Sequence, residues 1–441
     1  MKRLRPSILL LSRKRLRKYL RRLRRLEKQR VRKRRRAIKD TGRPWPLGPH
    51  LDRWKSGGVA PREDPRTLVI TIPADFSVSR NPEAVASVVR QVCDISSDTS
   101  IEGMFFDHSK LKQFELAAEA VLDVVVREVR GRSLRVGRRL SLGGQYPTDV
   151  AAQRFIRGIG LSRHLEIPNT SLPPSEEGKL RTFQQHKRTP TAKNAPAHTD
   201  EKSKVAENFA DFVDDCLKHV SRSLSPMGRQ RLCDYTGEII DNIEQHGETN
   251  YWYIAGYLDT TLDPPICEIA VFNFGRTFAE TFTALDPQSF PNVQVAPYIE
   301  KHRGSNWFGN EWTEENLYTL IALQGGISSK ATSDSDNRGH GTTDLIRFFQ
   351  ALHTECGAGV FEPEMVLWSA NTHILFDGRY KLRLGIDHRW TIAFNDANSL
   401  SERPDGKYVR HLTDVFFPGA MISIKFGLPA SVTSATKMMG A

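Results

Sequence analysis

The sequence has few cysteines and no long apolar run, and each absence excludes a class of protein. Only five of its 441 residues are cysteine. Their odd number, with no CxxC or metal-ligand spacing, argues against a disulfide framework and a structural zinc site. No stretch approaches the roughly 18 apolar residues of a membrane span. The apolar run at residues 8–11 is shorter than the ~7–15 residues of a signal peptide. We therefore expect a cytoplasmic protein with no transmembrane segment.

Acidic residues are scarce only at the N-terminus, so the net positive charge of the chain belongs to one segment. Residues 1–40 hold 20 Lys and Arg against two acidic residues, a net charge of +18. The rest of the chain holds 44 basic and 49 acidic residues, a net charge of −5. Because 39% of the residues are hydrophobic and 26% are charged, the chain as a whole is typical of globular proteins. Its length predicts two or three folding units.

Residues 1–40 form a basic arm that is either helical or disordered. The arm has good helix formers and no glycine, and its apolar residues recur at helical spacing. The apolar stripe consists of Leu9, Leu16, Tyr19, Leu20, Leu23, Leu26 and Val31. Such an arm would attract a nucleic-acid backbone or an anionic membrane surface. The alternatives are a solvated, unfolded arm and an N-terminus translated from an upstream start.

Two proline-rich segments, 41–66 and 168–200, are predicted to be linkers. The first contains five prolines and four glycines, and the second contains five prolines. Between them, residues 67–167 alternate between strand and helix patterns, which predicts a small α/β domain. Strands are predicted at 67–72 and 101–107, and helices at 82–93, 114–129 and 149–158.

Residues 201–428 are predicted to form a second domain, in which two helices precede a run of strands. The order of these elements predicts an α+β sandwich. The residues between 274 and 340 are predicted to be an insertion poor in helix, and 429–441 a tail. Helices are predicted at 201–222 and 227–246, and strands at 251–258, 266–273, 364–370, 373–377, 389–394 and 420–426.

The second of these helices carries polar residues four apart. Asp234, Glu238, Asn242 and His246 therefore line one helix face. An amide oxygen is a hard ligand that suits Mg²⁺, and a carboxylate one turn away can accept a proton. The alternative is an ordinary solvated helix face.

Two further motifs lie downstream, each with glycine beside a polar residue. In the first, an apolar strand runs into Asn273-Phe-Gly275, where the backbone can turn sharply beside a ligand. In the second, Arg338-Gly339-His340-Gly341-Thr342 opens a helix, whose first N–H groups suit a phosphate. Each motif alone is equally typical of an ordinary strand end or helix start.

In this order, the three motifs resemble the nucleotide-binding boxes of the GHKL (histidine-kinase-like) ATPase superfamily. The resemblance covers residues 201–428 and is closest to the ATP-binding domains of bacterial anti-sigma-factor serine kinases. The segment from Glu238 to Gly247 looks like their N box, and the two glycine motifs look like their glycine boxes. The segment Phe417-Pro-Gly-Ala-Met-Ile-Ser-Ile looks like their closing strand. The resemblance implies a GHKL-type (Bergerat-like) sandwich that binds ATP with Mg²⁺.

The resemblance also implies a role for each motif residue. Asn242 would bind Mg²⁺, Glu238 would be the general base, and Gly275 would lie against the adenine. The other implied nucleotide-binding residues are His246, Asn273, Arg338, Gly339, His340, Gly341 and Thr342, beneath a lid formed by 280–338. The sequence departs from the family twice, with Asn273 in place of an aspartate and Thr277 in place of a second glycine.

The first domain faintly resembles STAS domains, the usual antagonists of those kinases. The likeness rests on the strand Met104–Asp107 and the loop and helix that follow it. STAS domains carry a phosphorylatable serine at the start of this helix, whereas Glu115-Leu-Ala-Ala118 has no hydroxyl group. Ser109 is a distant substitute. The alternative is a generic α/β domain.

These features predict an ATP-binding regulatory protein with a regulatory protein partner. As an enzyme, it would be a Mg²⁺-dependent protein serine/threonine kinase or a slow ATPase. One alternative is a nucleotide-sensing interaction module that does not hydrolyse ATP. The other is a nucleic-acid-binding protein that acts through the basic arm.

Overall fold

The fold is taken from a computed structural model. The structure describes residues 52–54, 66–96, 98–158, 180–187, 199–218, 221–247, 252–327, 329, 341–356, 361–385, 388–428 and 433–435. The predicted basic arm and most of the two predicted linkers lie outside these residues. Arg338, Gly339 and His340 also lie outside them.

The described part of the chain combines α-helices and β-strands, a mixed composition that is compatible with the expected α+β class. A short 3-10 helix at Asp52–Trp54 precedes the first strand. The α-helices are α1 Pro82–Asp94, α2 Leu116–Arg135, α3 Val150–Gly158, α4 Thr199–Lys218, α5 Pro226–Gly247, α6 Phe278–Thr283, α7 Phe290–Gly304, α8 Glu314–Ile321 and α9 Gly341–Cys356. The strands are β1 Thr67–Thr71, β2 Asp75–Phe76, β3 Gly103–Asp107, β4 Gln113–Phe114, β5 Ser141–Gln145, β6 Leu180–Lys187, β7 Arg222–Leu224, β8 Trp252–Asp259, β9 Ile266–Phe274, β10 Glu364–Ala370, β11 Thr372–Phe376, β12 Arg383–Leu384, β13 Trp390–Thr391, β14 Val409–His411, β15 Phe417–Gly427 and β16 Thr433–Ala435. No helix in the described ranges has both the length and the apolar character needed to cross a bilayer.

Residues 67–158, which we call the small unit, contain a three-stranded parallel sheet. The strand order is β1-β3-β5, and α1 and α2 connect successive strands. Because such crossovers are right-handed and both run in the same direction, α1 and α2 lie on one face of this sheet and pack on each other. The prediction of strand–helix alternation is confirmed. The sequence pattern did not identify β5, in which Gly143 and Gly144 weaken the strand signal.

A seven-stranded antiparallel sheet, which we call the large sheet, is the centre of the molecule. Its strand order is β14-β11-β10-β15-β9-β8-β6. All nine residues of β9 are buried, so both faces of this strand are covered. One face, which we call the helix face, packs against α5 and α9, and α4 packs on α5. The opposite face, which we call the unit face, packs against α2 of the small unit.

The small unit packs directly on the large sheet and forms a layer of the fold. Helix α2 has 15 buried residues among its 20, because it lies between the small sheet, α1 and the large sheet. Polar contacts also join the small unit to the large sheet. Glu83 pairs with Arg410, and the buried ring of His373 lies 2.9 Å from the carbonyl oxygen of Val78. The layers alternate sheet, helices, sheet, helices.

The prediction that all of 168–200 is a linker is wrong, because residues 180–187 form edge strand β6. This strand pairs with β8 over its whole length, from Leu180↔Asp259 to Lys187↔Trp252. Its sequence LRTFQQHK is mostly polar. An edge strand gains its hydrogen bonds from one neighbour without needing an apolar pattern, so hydropathy did not reveal it. The strand predicted at 389–394 is also shorter, at Trp390–Thr391.

The prediction that 274–340 is poor in helix is wrong as well, since α6, α7 and α8 lie there. Capping boxes start two of these helices, with Thr277 and Glu280 at α6 and Thr313 and Asn316 at α8. Helix α7 contains an internal proline, Pro297, a residue that usually indicates a helix break.

These helices also lie within the segment 280–338 that was predicted to be a lid, and they pack against the rest of the domain. The buried side chains of Phe282, Leu317 and Leu320 join the core on the helix face. Helix α8 contacts β11 and β14, and α6 contacts β10. The described part of the predicted lid, 280–327, therefore belongs to the body of the domain. Residues 330–338 lie outside the described residues.

Candidate functional site

The polar face of α5 becomes steadily more buried toward its C-terminal end. The helix starts after Ser225, whose side-chain oxygen accepts the N–H of Gly228 at 3.0 Å. Along the predicted site face, Asp234 is exposed, Glu238 is half-buried and Asn242 is 5% exposed. His246 belongs to the helix, and its side chain is outside the described residues. The face is thus partly covered by its neighbours.

The polar face of α5 and the glycine motif that opens α9 meet at Asn242. The hydroxyl group of Thr342 donates a hydrogen bond of 2.8 Å to the side-chain oxygen of Asn242. The side-chain nitrogen of Asn242 donates to the carbonyl oxygen of Glu238 at 2.9 Å, which fixes the orientation of the amide. Gly341 and Thr342 start α9. The amide oxygen of Asn242 therefore points at the first turn of α9, whose N–H groups have no acceptor within the helix.

Helix α5 and the glycine motif that follows β9 meet at Asn273, at the end of β9. Its side chain is fully buried and donates a hydrogen bond to the carbonyl oxygen of Ile243 in α5. Its side-chain oxygen accepts the N–H of Ala420 at 3.1 Å. The approach is so close that a Cβ on Gly419, where φ is +137°, would lie 2.4 Å from the backbone oxygen of Asn273. Asn273 thus joins α5, β9 and β15.

This arrangement gives a physical reason for the first departure from the family pattern. Asn273 must donate a hydrogen bond to a carbonyl oxygen, and an ionised aspartate has no donor. The oxygen that the resemblance assigns to the adenine amino group already accepts Ala420, and the side chain is 0% exposed. In this arrangement, Asn273 is not open to a ligand.

The second departure has a similar explanation. After Gly275, the chain passes through Arg276 to Thr277, which is the N-cap of α6. The hydroxyl group of Thr277 accepts the N–H of Glu280, and the carboxylate of Glu280 accepts the N–H of Thr277 at 2.9 Å. A glycine at this position would lose the first of these bonds. The turn is further fixed by a 3.2 Å hydrogen bond from the N–H of Gly275 to the carbonyl oxygen of Pro418.

Acidic side chains surround Glu238. Burial raises the pKa of its carboxyl group, and the charges of Asp241, Asp344 and Asp234 raise it further, while Lys202 lowers it. A carboxylate with a raised pKa is a stronger base. Within the described ranges, no three His, Cys, Asp or Glu side chains are grouped to hold a metal ion. A Mg²⁺ ion here would depend on Asn242 and on oxygens that a ligand supplies.

The start of α2, where the STAS resemblance expects a phosphorylated serine, is sealed against the unit face. The carboxylate of Glu268, itself 0% exposed, accepts the N–H groups of Leu116 and Ala117 at 2.7 and 3.4 Å. Burial raises the pKa of Glu268 to about 7. Ser109 lies in the preceding loop, where its N–H donates to Asp107 at 2.9 Å. A phosphate at Leu116 or Ala117 would have no space, which agrees with the missing hydroxyl group.

Sequence reasoning missed two sets of residues, one beside the Gly275 turn and one between the large sheet and the start of α2. Arg53 and Trp54, in the predicted linker 41–66, contact the Gly275 turn and the ends of β9 and β15. Their surroundings are rich in proline and glycine, and no pattern there indicates a contact. Glu268 did leave a signal, because it is the one charged residue in the apolar strand ICEIAVFNF.

Comparison with known protein families, with curated proteins and with solved structures gives no match to this chain. The site is therefore interpreted from its own geometry. Residues from three separated motifs are in direct hydrogen-bonding contact through Asn242–Thr342 and Asn273–Ile243.

Proposed function

We propose that residues 201–428 form a GHKL-type nucleotide-binding domain, and that the protein is a cytoplasmic regulator that responds to ATP with Mg²⁺. The observation that carries the proposal is the hydrogen bond between Thr342 and Asn242. It brings a hard amide oxygen to the first turn of α9, where helix N–H groups suit a phosphate. Two separated motifs that the resemblance assigns to one ligand thus meet where that ligand would carry its charge.

The residue types present fit the metal and phosphate part of the ligand, but Asn242 is 5% exposed and its oxygen accepts the Thr342 hydroxyl group, so Mg²⁺ would reach this oxygen only after that contact opens. Asn242 would hold Mg²⁺, and the first turn of α9, from Gly341, would hold phosphate oxygens. When bound, Mg²⁺ would neutralise charge on the phosphates. Glu238 lies one turn from Asn242 on the same helix face, and its raised pKa suits it to accept a proton from water or a hydroxyl group.

The purine part of the site favours a sensor over a rapid enzyme. Asn273 is fully buried and bonded to two protein groups. Recognition of the adenine by Asn273 would require the side chain to exchange one of these bonds. Since Asn273 links α5, β9 and β15, such an exchange would change the packing of the domain. We therefore propose a nucleotide-sensing module as the second candidate function, with binding coupled to rearrangement and with no turnover.

The small unit is not placed to receive a phosphoryl group in this arrangement. The start of α2 is sealed on the unit face by Glu268, whereas the Asn242–Thr342 contact joins helices of the helix face. The phosphoacceptor of a kinase, or the partner of a sensor, would therefore be a separate regulatory protein.

Labelled ATP with Mg²⁺ distinguishes the two candidates. The wild-type protein is compared with Glu238→Gln and with a matched control, Asp234→Asn, which changes an exposed carboxylate on the same helix face. Release or transfer of label that Glu238→Gln abolishes and Asp234→Asn preserves would support an enzyme. Label that is bound and returned as intact ATP by all three proteins would support a sensor. Failure of the wild-type protein to bind ATP would refute both.

A further inference from the structure

The segment that precedes the small unit packs onto the strand that carries Asn273. Trp54, in the 3-10 helix Asp52–Trp54, is 4% exposed. Its ring contacts Phe274 and Phe417 edge-to-face, with centroid distances of 5.2 and 5.6 Å. These two phenylalanines are at the ends of β9 and β15. Trp54 therefore closes the aromatic cluster at one end of the unit face.

The neighbouring Arg53 contacts the turn itself. Its guanidinium group pairs with Glu280 at 2.5 Å and donates to the carbonyl oxygen of Gly275 at 3.4 Å. It also stacks over the ring of Phe416 at 4.4 Å from the centroid. The other carboxylate oxygen of Glu280 accepts the N–H of Thr277 at the start of α6. Arg53 thus joins the N-terminal segment to the turn and to the helix that follows it.

The turn is held from two directions. Successive residues of a strand point to opposite faces, so Asn273 projects toward α5 on the helix face while Phe274 projects toward Trp54 on the unit face. Arg53 binds the backbone of Gly275, the next residue. A shift of Arg53 or Trp54 would therefore change the position of Asn273 relative to α5.

We propose that Arg53 and Trp54 form a clamp that holds the turn from Asn273 to Thr277, and through the Asn273–Ile243 hydrogen bond the end of α5 beside Asn242, in the arrangement on which nucleotide binding depends. The clamp makes nucleotide affinity depend on the N-terminal segment of the chain. This inference rests on the proposed function. Arg53 and Trp54 are positioning residues, since they reach the site only through Phe274, Gly275 and Glu280.

Calorimetric titration of the full-length chain with Mg-ATP tests the clamp. We expect Trp54→Ala and Arg53→Ala to raise the dissociation constant, and so to weaken binding, by about tenfold. This change lies within the range of ordinary coupling between sites. Trp54→Phe keeps an aromatic ring between Phe274 and Phe417 and should restore most of the wild-type affinity. Arg403→Ala, which removes an exposed ion pair with Glu311 elsewhere, is the matched control and should leave the affinity unchanged.

Two further readouts separate positioning from general stability. Thermal unfolding is measured on each variant, and a lower midpoint with an unchanged dissociation constant would refute the clamp. The chain has seven tryptophans, so the change in tryptophan fluorescence on addition of nucleotide should be smaller in Trp54→Phe than in the wild type. If Trp54→Ala does not fold, the exposed variant Arg53→Ala decides the question. A wild-type protein that binds no nucleotide would overturn the proposed function and the clamp together. Normal binding by the wild type and by both alanine variants would overturn the clamp alone.

Discussion

Replacement of Asn273 by aspartate separates the geometry of this chain from the pattern of the GHKL family. The substitution keeps the size of the side chain and removes its donor. The carbonyl oxygen of Ile243 would lose the Asn273 donor, and an ionised carboxylate would lie against this oxygen in a site that is 0% exposed. An unsatisfied buried polar group costs about 1–3 kcal/mol. We therefore expect Asn273→Asp to destabilise the fold at neutral pH.

The pH dependence of this loss follows from the same contacts. A protonated aspartic acid can still donate to Ile243 and accept from Ala420, so the folded state favours the neutral form and the pKa of the new side chain is raised. Stability is then lost as pH rises from the unfolded pKa of about 3.9 toward the folded pKa. Each pH unit in this window costs about 1.4 kcal/mol, which amounts to about 3 kcal/mol at about pH 6 if the group stays neutral.

Urea unfolding at several pH values between about 5 and 8 measures this effect. Asn310→Asp, in an exposed position, is the matched control and should unfold like the wild type. Nucleotide titration of the same proteins tests whether the side chain at position 273 binds the ligand instead. If Asn273→Asp is as stable as the wild type at neutral pH and binds ATP more tightly, the side chain serves the ligand as the family pattern implies. That result would refute a structural role for the Asn273 amide.

Three further changes test other parts of the structure. Burial raises the pKa of Glu268 from 4.5 to about 7, so its folded state favours the proton and wild-type stability should fall as pH rises through this window. Glu268→Gln should remove up to about 3 kcal/mol of this loss in urea unfolding at about pH 8, whereas exposed Glu102→Gln should not. Gly419→Ala should lower the unfolding midpoint strongly, because its Cβ would lie 2.4 Å from a backbone oxygen, while Gly406→Ala has nothing within 4 Å and should not. Deletion of residues 1–40 should abolish any salt-sensitive binding to DNA or RNA in a filter assay; retained binding would exclude the arm as its source.

Elements with a strong apolar period were predictable from the sequence. Helix α1 buries Val85, Val88, Val89 and Val92 on one side, and Pro82 lies in its first turn. The same is true of β10, whose predicted bounds of 364–370 agree with the structure. In both elements the local pattern and the tertiary environment favour the same conformation, so local reasoning is sufficient.

The missed elements depend on contacts made far away in the chain. Strand β6 has a polar sequence and is defined by its pairing with β8. The stacking of the small unit on the large sheet is also a long-range event. An indication was nevertheless present in β9, where a continuous apolar run in an antiparallel strand implies that both faces are covered.

In the candidate site, too, the features with a local sequence pattern were predictable and those that depend on long-range contacts were not. The four-residue spacing of Glu238 and Asn242 on α5 was visible in the sequence, as was the helix start at Thr342. The hydrogen bonds of Asn273 were not visible, because its partners Ile243 and Ala420 are 30 and 147 residues away. An asparagine in place of an aspartate looks like a weakened ligand in the sequence, and only the fold shows what the amide donates to.

The most direct test of the proposed nucleotide site is calorimetric titration of the wild-type protein and Asn242→Ala with Mg-ATP. The contact between Asn242 and Thr342 is the basis of that site. We predict micromolar-range binding to the wild type that is weakened at least about tenfold by the substitution, a change of about 1.4 kcal/mol. Binding of equal strength to both proteins, or no heat with the wild type at all, would contradict the proposal.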